Sequence, residues 1–156
     1  MSYRRRSREA ALQVLYALDV VDGDIDATFT AFWKNFDPRE DTREFALFLT
    51  EGSWSRKEEI DAAIMQHSAN WSLARMARVD RNILRIAAYE LLYCDDIPPK
   101  VTLNEAIDLA KLYGSENSGA FINGILDALY AHMRKMGLEK AKFPLESMAL
   151  ETEVPL

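Results

Sequence analysis

The chain has 156 residues, of which 49% are hydrophobic and 28% charged, with a formal net charge of -6. That length fits one domain, or two small helical halves sharing one fold, and the apolar share excludes a disordered chain. A lone cysteine, Cys94, excludes an internal disulfide and offers no zinc spacing, and no run of roughly 18 apolar residues reads as a membrane span, so a cytoplasmic protein is expected.

Turn formers are sparse and no stretch alternates apolar and polar residues over β-branched positions, so helices are expected throughout. A first helix is predicted from about Ser7, or earlier, to Val21, with Ala11, Val14, Leu15, Leu18 and Val21 in one apolar stripe before Asp22-Gly23. A shorter helix follows over Asp26–Asn35. Asp37-Pro38-Arg39-Glu40 then reads as an N-cap aspartate, a proline at the first helical position and a capping glutamate, opening a long helix to about His67 that bends at Gly52. Beyond Asn70 come a short segment at Leu73–Ala77 and a core helix over Val79–Cys94, apolar around most of its circumference.

Pro98-Pro99 ends that element. Thr102-Leu103-Asn104-Glu105 reads as a capping box opening a helix that Gly114 closes, and Ser115 as the N-cap of a last helix running to Gly137. The expected fold is all-α: two small helical bundles, residues 1–70 and 71–137, packed as one domain of about seven helices. Residues 138–156 carry Glu139, Glu146, Glu151 and Glu153 and read as a loosely structured acidic tail.

The negative net charge argues against indiscriminate nucleic-acid binding, which draws on phosphate neutralisation by Lys and Arg. Local distribution differs: Arg4, Arg5, Arg6 and Arg8 cluster at the start of the first helix. At 100° per residue, Tyr16 falls almost opposite the apolar stripe and Arg5 shares its direction. An exposed ring beside arginines suits single-stranded RNA, where cations meet phosphates and rings stack on bases. A solvated face with an incidental tyrosine accounts for the same pattern.

On the central helix, Arg81, Arg85, Tyr89 and Tyr93 recur four residues apart. Either arginine-on-tyrosine stacking along a surface helix or a partner interface explains them. Catalytic patterns are missing. His67 and His132 lack clustered ligand spacing, and Cys94 beside Asp95 and Asp96 reads as a buried, inert thiol. Gly114, Gly119 and Gly124 follow no strand that would make a phosphate loop. Neither a cofactor nor a metal is expected.

Three stretches resemble the NusB family: Val79 to Leu91, Ile97 to Lys111, and Phe121 to Asp127. The segment Arg4-Arg5-Arg6-Ser7-Arg8-Glu9-Ala10-Ala11-Leu12-Gln13-Val14-Leu15-Tyr16 resembles that family's first helix. The resemblance spans most of residues 4–131, whereas 22–70 match only in helical character. It implies a non-catalytic antitermination factor that binds the single-stranded boxA segment of nascent ribosomal RNA with ribosomal protein NusE, within the RNA polymerase antitermination complex. Arg4, Arg5, Arg6 and Tyr16 match its RNA-contacting positions, Phe121 matches an RNA-facing aromatic, and Asp80 matches an acidic position at the NusE contact. Ala120 stands where the family often has lysine, and Asn117 where an aspartate can occur. The same fold is also found fused to ribosomal RNA cytosine methyltransferases, which leaves an RNA-binding accessory domain as one alternative and a protein-only helical adaptor as another.

Overall fold

A computed structural model describes residues 3–68 and 72–137, and the acidic tail lies outside the described residues. They form seven α-helices: α1 (Tyr3–Val21), α2 (Ile25–Trp33), α3 (Glu40–Ser55), α4 (Lys57–Gln66), α5 (Arg78–Tyr93), α6 (Pro99–Tyr113) and α7 (Ser118–Met136). A single 3₁₀ turn, Leu73–Arg75, precedes α5.

Each helix lays its apolar stripe inward. In α1 this stripe is Ala11, Val14, Leu15 and Leu18, packed against α3 and α5, and in α7 it is Ile122, Ile125, Leu126, Leu129 and Met133, packed against α6 and α5. α5 is buried over eleven residues, Arg81 to Leu91, and touches α1, α3, α4, α6 and α7. Packed on five other helices, it buries polar residues as well as apolar ones: Arg81, Asn82, Arg85 and Glu90 lie inside beside Ile83, Leu84 and Ile86.

Several helix ends depart from the sequence reading, where side chains took other partners, some local and some distant. Asp37 does not cap α3: its carboxylate accepts the Arg39 backbone N–H at 2.9 Å and pairs with the Arg39 guanidinium, and the helix begins at Glu40. The long helix expected to bend at Gly52 runs straight through it and breaks instead at Arg56. Gly52 is needed for a close approach, because a Cβ there would stand 2.0 Å from the Tyr89 ring.

The capping box at Thr102 is likewise not used. α6 begins at Pro99, a proline at the first helical position where a missing N–H costs nothing. Thr102 instead turns its hydroxyl to Glu90 of α5 at 2.7 Å. Ser115 does not cap α7, which starts three residues later; Ser118 Oγ accepts the Ser115 N–H at 2.9 Å. Gly137 closes α7 at φ 67, in the left-handed region that favours glycine.

Candidate nucleic-acid interface

α1 extends back to Tyr3, so all four N-terminal arginines are helical and their directions are set. They do not form an open cationic patch, because each meets carboxylates of the same chain. Arg8 is only 4% exposed: its Nε and Nη2 donate to the two oxygens of Glu90, at 2.7 and 3.0 Å. Burial works against the Arg8 charge, but the Glu90 contact outweighs it and holds the guanidinium above its ordinary pKa. Arg4 is buried as well, donating to Asp96 at 3.4 Å with its guanidinium 4.4 Å from the centre of the Phe45 ring. The expectation that these two arginines stand clear of the body is therefore corrected. They lie on the inward side of the helix, the face that also buries Ser7 and Ala11.

Arg5 and Arg6 face outward. The Arg5 side chain is 33% exposed and lies along α6, where it donates to Glu105 at 3.1 and 2.7 Å and also pairs with Asp108. The hydrogen bond to Glu105 raises its pKa above the ordinary arginine value. Arg6 pairs with Glu9 at 3.1 Å and Asp37 at 3.7 Å while covering the Phe36 ring at 3.9 Å. Exposed pairs of this kind are worth roughly 0.2–1 kcal/mol and are screened by salt, so an arriving phosphate can compete for either cation.

Tyr16 is 41% exposed, with its ring on the outer side of α1 as the helical wheel requires. Tyr113, not singled out from sequence, is half-exposed at the end of α6. Partial burial and then the charge of Glu9 raise its hydroxyl pKa, which places it beside the outward side of α1. The signal available was its position: Leu109 and Ala110 take the core side of α6, leaving the last aromatic before Gly114 outward. Phe121, in the first turn of α7, is half-buried against the hydrophobic core. Next to it, Ala120 and Asn123 line a shallow cleft of about 530 Å³ whose cation comes from Lys111 of α6.

The central stripe is neither a row of surface stacks nor a free interface. Arg81 donates to Asp19 at 2.9 Å and to the Leu73 carbonyl at 2.8 Å, and Arg85 grips Asp61 at 2.8 and 3.0 Å. Asn82 donates to Asp19 at 3.1 Å. Burial disfavours the Asp19 carboxylate, yet the Arg81 and Asn82 hydrogen bonds overcome this and lower its pKa. Both arginines are buried and serve to join α5 to α1 and α4. Asp80 sits half-buried in the first turn of α5, and its Oδ1 is enclosed without a hydrogen-bond partner among the described residues. Cys94 is buried, and no group of three or more potential metal ligands occurs among the described residues.

Among the described residues the architecture is all-helical, with arginines and exposed rings along α1 and at the end of α6, which defines the class: a small α-helical protein of NusB-like fold. Residues 5–131 match the NusB family model. The transcription antitermination protein NusB of Syntrophus aciditrophicus (strain SB) is 54% identical over 144 residues, covering 92% of this chain and 89% of the relative. NusB of T. maritima superposes with a TM-score of 0.75 at 40% identity, over 82% of this chain and 90% of that one. A structure of antitermination factors NusB and NusE in complex with double-stranded RNA gives 0.78 at 32% identity, over 85% and 98%. The chain belongs to the NusB family, and is a transcription antitermination factor rather than an enzyme. No helix among the described residues is long and apolar enough to cross a membrane.

Proposed function

We propose that the protein binds a boxA-like, single-stranded segment of nascent ribosomal RNA together with NusE, in the cytoplasm, as part of the RNA polymerase antitermination complex. The observation that carries this reading is the likeness, over most of both chains, to a NusB that assembles with NusE and RNA. Outward placement of Arg5, Arg6, Tyr16 and Tyr113 supplies phosphate and base contacts on one side of the molecule, with Phe121 at the α7 start as a further stacking edge. Arg4 and Arg8 hold α1 in register beneath that surface, at Asp96 and Glu90. Asp80, half-buried in the first turn of α5, is the proposed NusE contact through its match to the family's acidic position there. Arg81 and Arg85 support that contact indirectly, by fixing α5.

Titration of a boxA-like RNA, a scrambled RNA and a duplex, each with and without NusE, tests the proposal. The boxA strand should bind best, and more tightly with NusE. Tyr16→Ala should weaken it roughly 5- to 150-fold, the loss of one base stack of about 1–3 kcal/mol. Arg5→Ala should reduce the slope of log affinity against log salt by about 0.7. A second reading, a protein-only adaptor, is favoured by the carboxylate partners that all four N-terminal arginines already have. Binding of boxA no better than that of scrambled RNA in the presence of NusE would favour it.

A further inference from the structure

Glu105 and Asp108 stand three residues apart, so they share one face of α6 and converge on the guanidinium of Arg5. The two carboxylates are not equivalent. Glu105 accepts from Nε and Nη2 at 3.1 and 2.7 Å, its side chain is 18% exposed, and it also lies 3.6 Å from the buried Arg8. It belongs to the packing of α1 on α6. Asp108 is 39% exposed, and among the described residues its hydrogen bond and ion pair are with Arg5, again through Nη2.

A guanidinium is a planar fork of N–H donors that grips a carboxylate or a phosphate along one edge, two donors at a time. Glu105 fills the edge of Arg5 formed by Nε and Nη2. The other edge, formed by Nη1 and Nη2, is the one left for a phosphate, and Asp108 already holds its Nη2 donor. We propose that Asp108 sets the RNA affinity of this surface: its carboxylate stands where an RNA phosphate would bind Arg5 and must give way before that arginine grips the strand. The inference rests on the reading of this surface as an RNA-binding one. Asp108 acts through Arg5 and is a positioning residue, while Glu105 keeps the guanidinium oriented during the exchange. Once displaced, the Asp108 carboxylate remains beside the phosphate and repels it, and both effects are screened by salt.

The test is a double-mutant cycle on the full chain with NusE present. A boxA-like strand and a scrambled strand are each titrated against wild type, Asp108→Asn, Arg5→Ala and the double variant. Asp108→Asn should tighten binding of both strands about 2- to 5-fold, the worth of an exposed ion pair, with a melting temperature close to that of the wild type. The gain should shrink as salt rises. In the Arg5→Ala background it should largely vanish, because the carboxylate then has no guanidinium to occupy. Unchanged or weaker binding by Asp108→Asn overturns the proposal, and so does an equal gain in both backgrounds, which would reflect only the loss of one negative charge near a polyanion. A gain on both strands that depends on Arg5, without preference for boxA, sustains the role of Asp108 while overturning the boxA reading. Binding of neither strand overturns both.

Discussion

Arg5 and Arg8 stand one turn apart on α1, carry the same charge and share Glu105, yet they belong to different parts of the molecule. Arg8 is sealed beneath α5 and α6 with a doubly bonded Glu90, itself 1% exposed. Arg5, with a third of its side chain exposed, lies along α6 at Glu105. A buried pair brings little net stability over an apolar substitute but is costly to break, whereas an exposed pair costs little either way. A run of arginines in sequence is therefore not a surface patch: every third or fourth turns inward, and here the inward ones are structural.

The contrast is broken most severely at Arg8. Arg8→Ala leaves Glu90 buried and uncompensated and should cost about 3–5 kcal/mol of stability in urea unfolding. Replacing both partners, Arg8→Met with Glu90→Leu, should recover much of that loss, which would show that the penalty comes from the orphaned charge. Asp19→Asn tests the second buried network. Weakening its charge-assisted bonds to Arg81 and Arg85 should cost about 2 kcal/mol.

The same network gives a pH dependence. Because the Asp19 pKa is depressed in the folded protein, its contribution is fully present above the unfolded carboxylate value of about 3.9 and is lost as pH falls through the lower folded value. Stability measured from pH 6 downward should thus fall less steeply in Asp19→Asn at the acid end.

Gly52→Ala should cost about 1–3 kcal/mol, since its Cβ would overlap Tyr89 and something must shift. Combined with Tyr89→Ala the glycine substitution should become nearly neutral, a coupling that a double-mutant cycle would read directly. On the outer side, Tyr16→Ala should move stability by no more than about 0.5 kcal/mol. A larger thermal loss there would mean that the Tyr16 ring supports the fold rather than standing available to a ligand.

Much of the fold was determined by sequence alone, through the spacing of apolar residues. The stripes of α1 and α7, the closures at Gly114 and Gly137 and the central position of α5 all follow from 3.6-residue periodicity and from glycine and proline chemistry, which act locally. The outward direction of Tyr16 belongs to the same class of inference, because an angle around one helix needs no knowledge of its neighbours. The NusB resemblance was legible too, in long motifs that cover α1, α5, α6 and α7.

Only the tertiary structure decided which polar groups meet. Thr102 has the sequence of a cap but spends its hydroxyl on Glu90, twelve residues away, and Gly52 has the look of a bend but makes room for Tyr89. Arg81 and Arg85 have the spacing of a surface stripe but close on Asp19 and Asp61. In each case a partner distant in the chain offered a hydrogen bond, a charge or a volume that outweighed the local preference, and pairings of that kind leave no period in the sequence.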